Sequence, residues 1–232
     1  MATSSPNPAQ LPLGQQLLCL RQVLSTNTTL ITVLERVATL GLPNWYLAGG
    51  AVSQTVWNYA SHLPPSAGIA DYDVVYHDAS DLSWDAEDAH IRAARALFAD
   101  MPGIDVEVRN QARVHLWYGA KHGTPCPPHA SVEGGIDSWI STSAMVGVRL
   151  GGEDGREWSV YAPRGLSDLF NVVARPNAVL GSKESYDKKT ARWRGIWDKL
   201  TVEPWPTETA AAAAAITETS ATATIESTME EK

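Results

Sequence analysis

The chain has 232 residues, 44% of them apolar, with a formal net charge of −8 and only two cysteines. That length suits one sizeable core, or a core with a small appendage, and the acidic balance argues against loose electrostatic attachment to nucleic acid or an anionic membrane. Cys19 and Cys126 lie far apart and form no disulfide framework, and no segment approaches the ~18 consecutive apolar residues of a membrane span.

Residues 1–10 are Ser/Pro-rich, with no basic n-region and no long apolar run, and read as a disordered N-terminus of a cytoplasmic protein. From Leu11 the pattern turns helical. Leu17, Leu18, Leu20, Val23 and Leu24 mark one amphipathic segment. Ser25 to Thr28 break it and supply an N-cap, and Leu30, Val33, Leu34, Val37 and Leu40 mark a second. Gly41 suits the position after a helix, and Pro43 blocks continuation. Both helices are expected to cover one face of a sheet.

Trp45 to Ala48 read as a short buried strand. Gly49-Gly50 follows, and a helical pattern resumes over 51–60 with Val52, Val56 and Tyr59 on one face. Strand, Gly-Gly, helix lets the backbone approach an anion while N–H groups at the helix start point at it. A tight turn that simply needs glycine has the same appearance. After a Pro/Gly loop, Asp71-Tyr72-Asp73-Val74-Val75-Tyr76 is a run of strand formers. Residues i and i+2 of a strand share a face, with Cα atoms about 6.5 Å apart, so Asp71 and Asp73 project two carboxylates side by side. A cation between them relieves the repulsion, Mg²⁺ being the usual one for oxygen ligands; solvation on the polar face of an edge strand would also do so.

Ser83 is set to cap a helix over 84–98, whose acids Asp85, Glu87 and Asp88 precede Arg92 and Arg95 and read as a solvated face. Ile104 to Val108 alternate apolar and acidic, which predicts a half-buried strand with Glu107 between two valines. Arg109 to Tyr118 read as a short helix, in which Arg109, Asn110, Arg113 and His115 are candidate phosphate or base contacts as readily as surface residues. The loop over 119–135 holds His122, Cys126 and His129, with no fourth ligand at a zinc-like spacing. Met145 to Leu150 and Glu157 to Tyr161 flank a Gly-rich turn as a hairpin. Segments 166–174 and 183–200 read as helices. The second is capped by Ser182, with Trp193, Trp197 and Leu200 inward and a basic side able to approach a polyphosphate. From Thr207 onward Ala/Thr/Glu low complexity reads as a disordered tail with five acids against one lysine.

The order of these signals is more telling than any one of them. Gly49-Gly50, Asp71-Tyr72-Asp73 and Val106-Glu107-Val108, each on or beside a strand, resemble the nucleotidyltransferase superfamily with the DNA polymerase β-like palm. The runs 71–76, 107–118 and 162–176 further resemble a little-characterised group of mostly bacterial nucleotidyltransferase-like proteins, over about residues 45–200. One departure stands out. The branch that includes tRNA CCA-adding and poly(A) polymerase-like enzymes has Gly-Gly-x-Val-Arg-Asp at the turn, whereas this chain keeps Val52 but has Ser53 and Gln54 for the Arg and Asp.

The resemblance implies an α/β (α+β) fold. A polymerase β-like core with a mixed sheet and helices is expected over about 45–118, with a C-terminal helix and hairpin part over about 136–206, in one domain spanning 11–206. It implies an enzyme dependent on Mg²⁺ (or Mn²⁺) that moves a nucleoside monophosphate from an NTP to a hydroxyl, releasing pyrophosphate. Asp71 and Asp73 would hold two ions about 3.5–4 Å apart, and Glu107 would complete the cage or assist deprotonation of the attacking hydroxyl. Gly49, Gly50, Ser53, Arg109, Asn110 and Arg113 are the expected nucleotide contacts. The expected acceptor is a small molecule or protein, ahead of nucleic acid. Alternatives are a catalytically silent nucleotide-binding module on the same fold and a D-x-D glycosyltransferase, although the chain ahead of Asp71 is short for the nucleotide-binding half of the latter.

Overall fold

A computed structural model describes residues 6–152 and 156–207, and the backbone of 227–229. The elements in order are α1 (Leu13–Leu24), α2 (Thr28–Ala38), β1 (Tyr46–Ala48), α3 (Gly50–Ser61), β2 (Tyr72–Tyr76), α4 (Trp84–Leu97) and β3 (Val106–Asn110). Then come α5 (Tyr118–His122), α6 (Val132–Asp137), β4 (Gly147–Gly151), β5 (Glu157–Tyr161), α7 (Ser167–Phe170), β6 (Val173–Ala174), α8 (Lys183–Arg194), β7 (Thr201–Val202) and β8 (Ser227–Met229). The main sheet runs β3-β2-β1-β4-β5, with β8 pairing at the free edge of β5. It is mixed, because β2 and β3 run parallel and the other neighbours antiparallel. The parallel pair follows from the α4 crossover, since parallel neighbours cannot be joined by a hairpin.

Alternation along the strands sorts side chains onto two faces. Leu47, Tyr72, Val74, Tyr76, Val108 and Val148 join the main core with α1, α2, α3 and α4. Among the described residues no single helix is long and apolar enough to cross a membrane. The helices α1 and α2 meet at 100°, and Leu20, Leu24, Leu30, Val33 and Leu34 from them are buried in that core. Asn27 makes the corner, its Oδ1 accepting from the Leu30 N–H at 3.1 Å while its Nδ2 donates to Thr55 Oγ1 at 2.9 Å. On the other face a smaller cluster, Tyr46, Ala48, Val75, Val132, Ile136, Met145 and Tyr161, sits under α6.

Several expectations change. Residues 8–10, within the segment read as disordered, form a 3-10 turn capped by Asn7. Tyr59 is exposed, and Trp57 takes the buried place on α3. The expected helix over 109–118 begins as strand, because Arg109 and Asn110 still pair with Val75 and Tyr76, and it continues as a 3-10 turn over Gln111–Leu116. The expected helix over 166–174 stops at Phe170, because Val172 adopts a left-handed conformation (φ 55°) and Val173–Ala174 then pair with β7. The helix α8 ends at Arg194, yet Trp193, Trp197 and Leu200 all point inward as expected. Trp57 meets Trp193 and Trp197 edge-on, with centroids 5.4 and 5.3 Å away. Trp197 Nε1 also donates to the buried Asn58 Oδ1 at 2.7 Å, so α8 is docked onto α3. The low-complexity tail lies outside the described residues apart from the backbone of β8.

Candidate active site

The face of the sheet that carries the small cluster is also the face that carries the acids. Ala48 is the register partner of Asp73, and Asp73 is the register partner of Glu107. Partners on adjacent strands project to the same side, and so does a residue two positions earlier in the same extended chain. Asp71, Asp73 and Glu107 therefore share one side of β2 and β3, with the Gly49-Gly50 turn beginning one residue beyond Ala48. Loop geometry and parallel pairing bring together three acids that lie apart in the sequence.

Asp73 carries the electrostatic signature of that meeting. It keeps some surface in solvent yet is densely surrounded by protein. Burial, followed by the charges of Asp71 and Glu107, pushes its carboxyl up to about 7, and Lys189 and Arg109 pull against this. Lys189 comes from α8, so the tryptophan docking of α8 onto α3 delivers a cation to the acid cluster. In the sequence only the basic side of that helix hints at this. The Glu107 carboxylate is engaged by Arg109, with Nη2 to Oε2 at 3.0 Å and both side chains 40% exposed. Among the described residues no three His, Cys, Asp or Glu side chains are set together to hold a metal ion.

The glycine turn is built for close approach. Gly49 has φ 66° and ψ −121°, open to glycine but strained for other residues. A Cβ there would fall 1.7 Å from Cζ3 of Trp139, whose indole lies against the turn. The Gly49 N–H is already spent on Val146 O at 2.9 Å, so it is not free for an anion. The first α3 bond back to the turn is the Ser53 N–H to Gly49 O at 2.9 Å. The N–H groups of Gly50, Ala51 and Val52 thus precede the helical ladder, at the positive end of the helix dipole. Under them Gln54 is buried, and its Oε1 has no partner among the described residues.

Three other expected nucleotide contacts are engaged inside the protein. The Ser53 hydroxyl donates to Gly49 O at 3.1 Å and is buried. Asn110 is buried; its Oδ1 accepts from Asp78 N–H at 3.0 Å and Ala112 N–H at 3.1 Å, and its Nδ2 donates to Asp78 O at 2.8 Å. Arg113 pairs with Glu87 and donates from Nε to Leu82 O at 2.9 Å. Glu87, read from sequence as part of a solvated face, is 2% exposed and also accepts from the Asn110 N–H at 2.8 Å. It ties α4 to the end of β3. A helical pattern treats an acid in the first turn as dipole compensation, so no sequence signal set Glu87 apart. Cys126 Sγ and His129 Nε2 lie 3.7 Å apart in the loop before α6.

The nucleotidyltransferase family matches residues 35–202. A search of curated proteins gave no match. Among solved structures, an NMR structure described as revealing a CCA-adding enzyme head domain is similar with a TM-score of 0.62 and 23% identity, covering 80% of this chain and 96% of that one. At that identity the likeness concerns the fold.

Proposed function

The chain belongs to the nucleotidyltransferase family, whose shared chemistry is transfer of a nucleoside monophosphate, and from that premise we propose that it moves this group from an NTP to a hydroxyl acceptor with release of pyrophosphate. The observation that carries the reading is the row Ala48, Asp73, Glu107 across three adjacent strands, with the glycine turn at one end. This row sets an anion-binding helix start beside an acid cluster, the two parts such a transfer needs.

The donor chemistry of the three acids suits a divalent cation, although as they stand their side chains are not gathered into a ligand cage and Glu107 is engaged by Arg109. Asp71, Asp73 and Glu107 offer only carboxylate oxygens, the ligands of Mg²⁺ or Mn²⁺, and the Asp73 carboxyl, raised by burial and then by the charges of Asp71 and Glu107, is one whose ionised form a cation would favour. When bound there, the metal supplies charge stabilisation for the entering and leaving oxygens. The chain does the rest. The N–H groups of Gly50, Ala51 and Val52 bind the phosphates. Lys189 and Arg109 add positive charge on the same side, and β2 and β3 fix the spacing of the acids. Glu107 can accept a proton from the attacking hydroxyl once Arg109 turns to phosphate. Ser53, Asn110 and Arg113 act as internal supports in this reading, not as nucleotide contacts.

The acceptor is a small molecule or a protein hydroxyl. The body of the chain has no excess of positive charge, and Ser53 and Gln54 replace the Arg and Asp of the RNA branch. The two lone cysteines suit a cytoplasmic setting. The test is incubation of the full chain with each α-³²P-labelled NTP, Mg²⁺ or Mn²⁺ and a cell extract, followed by identification of the labelled product. Wild type should label an acceptor, and Asp71→Asn and Asp73→Asn should not. Undiminished labelling by both variants would refute the proposal.

A further inference from the structure

The indole of Trp139 has no part in the chemistry above, yet it lies against the glycine turn. Its benzene edge (Cε3, Cζ3 and Cη2) presses on Gly49 at the position a Cβ would fill. Gly49 directly follows Ala48, the register partner of Asp73. The side chain packs against the cluster that includes Tyr46, Ala48 and Val75, and it remains partly exposed. Its backbone is held on both sides. The Trp139 N–H donates to Ile136 O at 3.1 Å, and its carbonyl accepts from Asn177 Nδ2 at 2.8 Å. Asn177 is itself buried and donates to Asp137 O at 2.7 Å.

We propose that Trp139 is the platform on which the nucleobase of the incoming nucleotide stacks, an inference that rests on the nucleotidyltransferase reading of this site. A fixed aromatic surface beside a phosphate-binding turn loses little entropy when a planar base settles on it. Every base presents a π-face, so stacking is tolerant of base identity, and the two-ring purines cover more of an indole than the pyrimidines. The site therefore selects purine nucleoside triphosphates by contact area.

The test is titration calorimetry of the full chain with Mg²⁺ and either ATP, UTP or inorganic tripolyphosphate. Wild type should bind ATP more tightly than UTP. Trp139→Ala should weaken ATP binding about ten- to a hundred-fold and UTP binding less, leaving tripolyphosphate binding unchanged, and Trp139→Phe should restore most of the loss. Tripolyphosphate reports the glycine turn, so an equal loss for all three ligands would show a merely structural role and overturn the inference. Unchanged ATP binding by Trp139→Ala would also overturn it. Failure of wild type to bind ATP or tripolyphosphate would remove the functional reading beneath it, which separates the two failures.

Discussion

Asp73 and Glu107 face each other across the parallel pair β2 and β3, and the carboxyl of Asp73 is pushed up to about 7 by burial and by its acidic neighbours. The sign of the consequence is fixed. The folded value lies above the ordinary 3.8, so the folded state holds an extra proton between about pH 4 and 7. Stability is fullest below that window and falls as pH rises through it, by at most on the order of 4 kcal/mol without a cation. Urea midpoints at pH 5 and 8 in chelator should show this decline, and Asp73→Asn should flatten it and be more stable than wild type at pH 8.

Lys189 opposes the rise at Asp73 from the neighbouring helix α8. Lys189→Met should therefore raise the Asp73 pKa further, as read by NMR titration of its side-chain carboxyl. It should also weaken tripolyphosphate binding several-fold at low salt and less at high salt. An unchanged Asp73 titration would place Lys189 away from the acids.

The two glycines of the turn should respond differently to alanine. At Gly49 a Cβ meets a held indole in a strained conformation, so Gly49→Ala should cost more than about 2 kcal/mol in urea unfolding. At Gly50 the nearest obstacle is the end of the flexible Gln54 side chain, at 3.0 Å from the added Cβ. Gly50→Ala should cost less than about 1 kcal/mol.

Glu87 and Arg113 form a buried pair, and removing one partner leaves the other charged and unmatched. Glu87→Ala should destabilise the fold by about 3–5 kcal/mol, and the double variant Glu87→Leu/Arg113→Met should recover much of that loss. Thermal or urea unfolding of the single and double variants decides it.

The parts of the candidate site that rest on local pattern are legible in the sequence. Asp71 and Asp73 announce themselves by i, i+2 spacing among strand formers, and Gly49-Gly50 by standing between a strand and a helix. The helix caps at Asn27, Ser83 and Ser182 were equally legible, because capping is a short-range bond. What depends on tertiary pairing was hidden. Asn110 and Arg113 have the composition of phosphate contacts, but only the return of α4 to the end of β3 shows that Glu87 and Asp78 occupy them. Lys189 and Trp139 lie far along the chain from Asp73, on elements whose placement follows from the packing of Trp57 with Trp197 and from the bonds of Asn177. The break at Val172 needed a positive φ at a β-branched residue, which no propensity would suggest.

The central claim is that Asp71, Asp73 and Glu107 jointly take a divalent cation beside the glycine turn. Its most direct test is Mn²⁺ binding followed by electron paramagnetic resonance, in the presence of a non-hydrolysable NTP analogue, for wild type and Asp73→Asn. The account predicts saturable binding by wild type and binding at least tenfold weaker in the variant, whose circular dichroism is unchanged. Equal Mn²⁺ binding by the two proteins would contradict it.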